Sequence, residues 1–256
     1  MKPLFGLGGR SAIQALMTNR NALLAFDFDG TLAPIVARPD DARIPLPISV
    51  RLQRLSSLRP IAVVSGRSVT DVNGRLGFAP RFVIGNHGIE DPGQTCELLP
   101  ARWAMALDPL RAALAAHASK LEEAGVGIED KRFSIALHYR LAPSETQALA
   151  AIESILEEAG RGLAVGRGKC VVNLVPLGAP DKGDALLAAA RRCDAPAGMF
   201  VGDDDNDEPA FAKAPAGWIT VRVGRDHVGS RAAYYIDGPS QLPAVLQLLL
   251  DAGKTT

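Results

Sequence analysis

Two aspartates one residue apart, Asp27 and Asp29, follow the apolar run Leu23-Leu24-Ala25-Phe26 and precede Gly30-Thr31-Leu32. A short apolar run closed by a turn signal reads as a buried parallel strand. Asp27 is then the last strand residue, and Asp29 lies just past it, where a loop can turn its carboxylate back. Ligands of open α/β sheets sit outside the carboxyl ends of strands, so both acids stand where chemistry is expected. Two like charges this close are costly to bury unless a cation shares them. A hard divalent ion, Mg2+, is the natural partner for oxygen ligands. Asp-x-Asp-Gly also opens a calcium loop, but that loop needs more oxygen ligands and a glutamate at its twelfth position. After Gly30 the chain instead runs Thr-Leu-Ala-Pro-Ile-Val.

Other strand ends repeat the pattern. Ile61-Ala62-Val63-Val64 runs into Ser65-Gly66-Arg67. A hydroxyl there, with the next amide left open by glycine, can hold a phosphoryl oxygen. Equally, Ser65 or Ser68 can cap the helix expected around residues 69–76. Both readings can hold at once, because a capped helix N-terminus is itself an anion site. Arg67 contacts either a substrate or a surface acid. Phe82-Val83-Ile84 leads into Gly85-Asn86-His87-Gly88, where His87 binds substrate or fixes its own loop. Met199-Phe200-Val201 closes on Gly202-Asp203-Asp204-Asp205-Asn206-Asp207-Glu208. So acidic a loop at a strand end is electrostatically unstable without a cation. Lys182, in Asp181-Lys182-Gly183-Asp184, precedes an apolar-periodic helix running to Arg192.

The elements that position these residues alternate strand and helix before residue 93 and after residue 180. Residues 1–20 form a loosely ordered arm or a short helix, and residues 49–58 have helical spacing. Between residues 93 and 179 the texture changes. An alanine-rich helix is expected over residues 103–123, a strand over 133–140, a helix from Pro143 to near Gly160, and a hairpin over 164–176. An α/β parallel-sheet core, residues 1–92 and 180–256, with an inserted α+β unit at 93–179, accounts for the order. The apolar segment 242–250 is too short to span a bilayer and reads as a docking helix.

Bulk properties narrow the function. Lys+Arg 28 balances Asp+Glu 28, and aromatic residues make up 5%, which disfavours nucleic acid and anionic membranes as partners. Three cysteines, with no C-x-x-C, argue against a disulfide framework or zinc site and fit a reducing cytoplasm. The N-terminus lacks the apolar core of a signal peptide.

Asp-x-Asp, Ser-Gly, an isolated lysine and a Gly-Asp-x-x-x-Asp loop, in that order, resemble the haloacid dehalogenase superfamily of phosphatases. The resemblance covers nearly the whole chain and implies a Rossmann-like core with an α/β cap. Within the superfamily the chain is similar to the trehalose-6-phosphate phosphatases. The shared segments are Asp27 to Leu32, Ser65 to Arg67, Gly85 to Gly88, Glu129 and Lys131 with His138 to Arg140, Gly168-Lys169, Lys182-Gly183, and Gly202 to Glu208. Asn206 replaces the family's threonine. Asn173 stands where the family has a sugar-binding glutamate; an amide still hydrogen-bonds hydroxyls but carries no charge.

The resemblance and the residue types together imply Asp27 as nucleophile and Asp29 as general acid and base, with Ser65 and Lys182 on the phosphoryl group. Mg2+ is expected on Asp27, the Asp29 backbone carbonyl and Asp203, with Asp207 or Asp204 in or near its outer ring. Substrate contacts are expected from Thr31, Gly66, Arg67, His87 and Asp204, and from Glu129, Lys131, Arg140, Lys169 and Asn173 of the cap. The implied substrate is trehalose 6-phosphate, the implied functional partner a trehalose-6-phosphate synthase, and the implied state a monomer. Two alternatives stand beside this: a phosphatase of another sugar phosphate, and a catalytically silent sugar-phosphate sensor. Retention of all the core acids and the lysine argues against the second.

Overall fold

The computed structural model describes residues 1–93, 98–168, 170–225 and 229–254. They divide into two units, Met1–Gly93 with Pro180–Thr256, and Gln94–Ala179.

The first unit opens with β1 (Lys2–Pro3), α1 (Leu7–Met17), β2 (Leu23–Phe26), α2 (Leu46–Ser56), β3 (Ile61–Val64), α3 (Val69–Asn73) and β4 (Phe82–Ile84). The second contains α4 (Leu98–Met105), α5 (Asp108–Ala116), α6 (Ala118–Glu123), β5 (Gly127–Asp130), β6 (Ile135–His138), α7 (Glu145–Ala159), β7 (Leu163–Gly168) and β8 (Val171–Pro176). The chain then returns through α8 (Lys182–Arg192), β9 (Gly198–Gly202), α9 (Glu208–Lys213), β10 (Ile219–Val223), β11 (Tyr234–Ile236) and α10 (Leu242–Lys254).

In the first unit a seven-stranded sheet has the order β1-β11-β10-β9-β2-β3-β4, with every neighbouring pair parallel. Strand residues point alternately to its two faces. Leu24, Phe26, Val63, Met199 and Val201 pack with Ile13 and Met17 of α1, Leu52 and Leu55 of α2, and Val245 and Leu246 of α10. Leu23, Ala25, Ala62, Val64 and Phe200 pack on the other face with Ala185, Leu186 and Ala189 of α8 and Phe211 of α9. Burial on both faces explains why these strands read as continuous apolar runs rather than alternating ones. From β2 the chain builds outward to β3 and β4; when it returns, β9 pairs on the other side of β2. That reversal is a topological switch point, and crevices at such points open at the carboxyl ends of the strands.

The second unit holds a separate antiparallel sheet of order β5-β6-β8-β7. Ile135, Leu137, Val172 and Leu174 bury one face against Leu110 and Leu114 of α5 and Ile152 and Ile155 of α7. Ala136 lies between Ile135 and Leu137, so its row belongs to the other face. Glu129 pairs with Ala136, Ala136 with Asn173, and Asn173 with Gly166, which sets Glu129 and Asn173 in that one row.

One expectation needs correction. The helix expected over residues 103–123 is three helices, α4, α5 and α6. Pro109 enters near the start of α5, where its missing N–H is harmless, whereas in a continuous helix it would collide with the carbonyl of Met105. His117 departs from helical geometry between α5 and α6. Of the two readings of residues 1–20 the short helix is the one found, as α1, and Lys2 and Pro3 pair with Tyr234 and Tyr235 before it begins. Glu129 lies on a strand, β5, that the exposed and glycine-flanked segment did not announce.

Candidate active site

The carboxyl ends of β2, β3 and β9 bring their polar residues to one place. Asp27 directly follows β2, is buried, and donates its backbone N–H to the Val201 carbonyl of β9 at 2.9 Å. Asp203 directly follows β9, and Asp207 sits one tight helical turn further along. The Asp203 and Asp204 backbone amides both donate to Asp207 Oδ2, at 2.9 and 3.0 Å, which folds the acidic loop back on itself. Asp207 thereby lies at 0% exposure beneath the loop.

Lys182 arrives from the first turn of α8. Its position is set by the N-cap Asp181, whose Oδ1 accepts from the Gly183 and Asp184 amides at 2.9 and 3.0 Å. Lys213 Nζ reinforces the cap, donating at 2.8 Å to both Asp181 and Asp184. The buried Lys182 ammonium then donates to Asp27 Oδ1 at 2.6 Å and to Asp207 Oδ1 at 2.7 Å. Burial opposes its charge, but the two carboxylates outweigh burial and raise its pKa, so the lysine is fixed as a cation.

One ammonium does not balance this set. Asp27, Asp203 and Asp207 are all buried and each offers an oxygen, with these oxygens within 4.8 Å of one another. Burial pushes the Asp27 carboxyl well above its ordinary range, Lys182 opposes the rise, and the charges of Asp207 and Asp203 add to it. Hard oxygen donors carrying surplus negative charge in a buried cluster suit a small divalent cation. Gly30 leaves room beside them: its φ is +80°, and a Cβ built there would overlap the Asp203 carboxylate. Gly30→Ala therefore strains the backbone by about 1–2 kcal/mol and displaces Asp203. The expected result, read by urea titration and by cation-induced shifts in Tm, is lower stability together with weaker cation binding.

Ser65 follows β3 and is fully buried; its Oγ accepts from the Arg67 amide at 3.1 Å. The helix cap falls to Ser68 instead, whose Oγ accepts from the Asp71 amide at 3.2 Å. The Ser65 hydroxyl can still rotate to donate. His87 is buried in left-handed backbone, φ 59°, and its ring covers Gly66, where a Cβ would meet His87 Cε1 at 2.5 Å. Asn86 and Glu90 hold this turn. Glu90 Oε2 accepts from Asn86 Nδ2 at 2.7 Å and from the Val69 amide opening α3 at 2.9 Å. Arg67 Nε and Nη2 donate to the two oxygens of Asp29 at 2.7 and 2.8 Å. Asp29 is the more open of the paired acids, its side chain 41% exposed.

These features occur in a chain whose residues 25–233 match the family model described as trehalose-phosphatase. The chain belongs to the trehalose-phosphatase family. It is 32% identical over 253 residues to the trehalose-phosphate phosphatase of Mycobacterium avium, a match covering 92% of this chain and 63% of that protein. It is 34% identical over 233 residues to an uncharacterized glycosyl hydrolase of Mycobacterium tuberculosis, covering 86% of this chain but 17% of that protein. The chain thus spans less than two thirds of the length of these relatives. Among solved structures, the C-terminal domain of C. albicans trehalose-6-phosphate phosphatase superposes with a TM-score of 0.76 at 21% identity, covering 99% of this chain and 98% of that domain. That likeness establishes a shared fold.

In this member of the trehalose-phosphatase family, Asp27, Lys182, Asp203 and Asp207 converge as one buried cluster. Asp29, Gly66, Arg67 and His87 adjoin one another on the loops after β2, β3 and β4. Thr31 Oγ1 is buried and has no hydrogen-bond partner among the described residues. Asp204 Oδ2 accepts from Asn206 Nδ2 at 3.3 Å rather than joining the buried set. In the second unit, Glu129 Oε2 lies 2.9 Å from His138 Nε2 and 3.5 Å from Lys131 Nζ. Arg140 is exposed just beyond β6. Lys169 lies outside the described residues. Sequence reasoning overlooked Asn86, Glu90 and Asp71. The only trace of them was a polar residue beside a glycine turn and an acid four residues after Arg67.

Proposed function

We propose that this chain hydrolyses trehalose 6-phosphate to trehalose and phosphate. The observation that carries the reading is the buried Lys182 bridging Asp27 and Asp207 at the carboxyl end of β2, in a chain of the trehalose-phosphatase family. An ammonium held there neutralises an attacking carboxylate's neighbours while leaving Asp27 Oδ2 to act as nucleophile. Asp27 attacks phosphorus in line and takes the phosphoryl group; the P–O bond to the sugar breaks as Asp29 gives that oxygen a proton. Asp29 then removes a proton from water, whose oxygen attacks the aspartyl-phosphate and releases inorganic phosphate with Asp27 restored. Ser65 and Lys182 bind the phosphoryl oxygens throughout, donors arranged before the charge develops.

Mg2+ is the proposed cofactor, held by Asp27, the Asp29 backbone carbonyl and Asp203, with Asp207 behind them. When bound it offsets the negative charge of the transferring phosphoryl group. Cation binding to the folded chain alone raises stability by about 2.7 kcal/mol at a hundredfold excess over Kd. For a chain of this size that corresponds to a rise in Tm of about 5–10 °C. The rise is expected with Mg2+, and its absence in Asp203→Asn, read by calorimetry, checks the ligand set.

The unit at residues 93–179 is assigned the role of a cap that selects the sugar for the core of residues 1–92 and 180–256. Glu129, Lys131, Arg140, Lys169 and Asn173 are its proposed sugar contacts, as Thr31, Gly66, Arg67, His87 and Asp204 are those of the core. Glu129 and Asn173 sharing a sheet row supports that role, since one ligand face can meet both. The protein is proposed to act in the cytoplasm as a monomer, using substrate made by a trehalose-6-phosphate synthase. Among the described residues no helix is long and apolar enough to cross a membrane.

Asn173 favours one second reading, a different sugar phosphate, because it offers donors where a carboxylate offers only acceptors. Initial rates of phosphate release with Mg2+, across trehalose, sucrose, glucosylglycerol and mannosylglycerate phosphates, separate the two. Preference for trehalose 6-phosphate is expected; preference for another of the panel moves the specificity and keeps the chemistry.

A further inference from the structure

We propose that Asp71 is a positioning residue for the reaction. It fixes one nitrogen of Arg67 so that the other two grip Asp29. The proposal rests on the reading of Asp29 as the proton-transfer group.

Arg67 Nη1 donates to Asp71 Oδ2 at 2.7 Å, while Nε and Nη2 meet the two oxygens of Asp29 at 2.7 and 2.8 Å. The second contact is a parallel fork, which fixes the plane and direction of a carboxylate as well as its place. Asp71 is held in turn. Its Oδ1 accepts from Arg75 Nε at 2.7 Å, and Arg75 Nη2 reaches the same oxygen. Arg75 Nη1 donates to the Asp40 carbonyl at 2.6 Å, tying the row to the segment after β2. Charges therefore alternate along Asp29, Arg67, Asp71, Arg75 and Asp40.

Burial along this row is uneven. The Arg67 and Arg75 side chains are 9% and 8% exposed, whereas Asp29 and Asp40, at the ends, are 41% and 96% exposed. Two largely buried guanidiniums need Asp71 between them; without it their charges face each other across a shielded gap. Partial burial raises the Asp71 carboxyl, but Arg75 and Arg67 outweigh it and hold the group below the usual carboxylate range. Further contacts fix Arg67 from behind. Its carbonyl accepts from the Asn86 amide at 2.8 Å, and its guanidinium lies over the Phe28 ring, 5.4 Å from the centroid. Both Asp29 oxygens accept from Arg67, so to carry the proton it delivers Asp29 gives up one arm of the fork, and Asp71 keeps the guanidinium in place on the other oxygen. Aim matters for a proton donor, because misplacement by about 1 Å can cost 10²-fold in rate.

A merely structural Asp71, stapling α3 to its loop, predicts a different result. Wild type, Asp71→Asn and Asp71→Glu are compared with Mg2+ on trehalose 6-phosphate and on p-nitrophenyl phosphate. The first substrate's leaving oxygen needs a proton; the second departs as a stable anion. Asp71→Asn is expected to lower kcat on the sugar phosphate by about tenfold or more, with KM little changed. The loss on the aryl phosphate is expected to be clearly smaller, and Asp71→Glu to recover part of the sugar-phosphate rate. Arg67→Gln and the double variant complete a cycle in which the losses do not add. Equal loss on both substrates, or additive losses, overturns the proposal. Should Asp71→Asn not fold, Asp71→Ser carries the same comparison. Wild type releasing phosphate from neither substrate overturns the phosphatase reading itself, and this proposal with it.

Discussion

Asp27→Asn is expected to abolish phosphate release from trehalose 6-phosphate, by at least about 10⁴-fold, because an amide cannot form the aspartyl-phosphate. The same change should leave the fold intact, and the cation-free variant should be at least as stable as the wild type. Asp27 is buried beside Asp203 and Asp207, and burial followed by those charges raises its pKa in the folded chain. A carboxyl raised by folding binds more protons folded than unfolded, so its ionisation costs stability. That cost is absent in acid, below the ordinary carboxylate range, and grows as pH rises through the raised value. Asparagine removes it at neutral pH. Activity lost together with unchanged or higher Tm, measured in chelator, is the expected pairing. A variant that unfolds would instead make Asp27 a structural residue.

Lys182→Met carries the largest expected loss of stability. The ammonium is 2% exposed and holds Asp27 and Asp207 at once. Removing one partner of a buried ion pair costs about 3–5 kcal/mol, since the remaining charges stay uncompensated. Here two carboxylates are stranded with Asp203 beside them, so the upper part of that range is expected in urea titrations. Turnover should fall as well, by about 10²–10³-fold, through loss of a preorganised cation at the phosphoryl group. The sign with pH is the same as for Asp27, since folding raises both pKa values, and only the window differs. Folding raises the Lys182 pKa from 10.5, so its stabilisation is fully present below that value and is lost only as pH climbs through the higher folded one. Removing Lys182 also removes its opposition to the rise of the Asp27 pKa, so the variant should lose further stability as pH climbs and its gap from the wild type should widen.

Much of the core could be read from the chain because a short apolar run that ends in polar residues and a glycine folds most readily as a buried strand. β2, β3 and β9 are buried on both faces, and Asp27, Ser65 and Asp203 follow them directly. The parallel sheet and the separate antiparallel insert follow from the same change in texture. Less was legible where a contact joins residues far apart in sequence. Glu90 reaches back 21 residues to the Val69 amide, and Asp29 meets Arg67 across 38. No periodicity encodes either. Asp71 is an acid on a short helix with no motif around it, and only the buried guanidiniums on both sides of it give it a role. Alanine-rich composition favours one continuous helix over residues 103–123, but Pro109 and His117 interrupt it. Membership of the trehalose-phosphatase family agrees with the motif order, whereas the identity of the sugar turns on cap residues whose chemistry, Asn173 above all, differs from the family pattern.

The most direct test is chemical. Enzyme mixed with trehalose 6-phosphate and Mg2+ is quenched in acid within the first turnovers, digested and analysed by mass spectrometry. The peptide containing Asp27 should gain the mass of one phosphoryl group, localised to Asp27 and absent when chelator replaces Mg2+. Rapid phosphate release with no phosphorylated Asp27 at any quench time, and activity surviving in Asp27→Asn, would contradict the aspartyl-phosphate route.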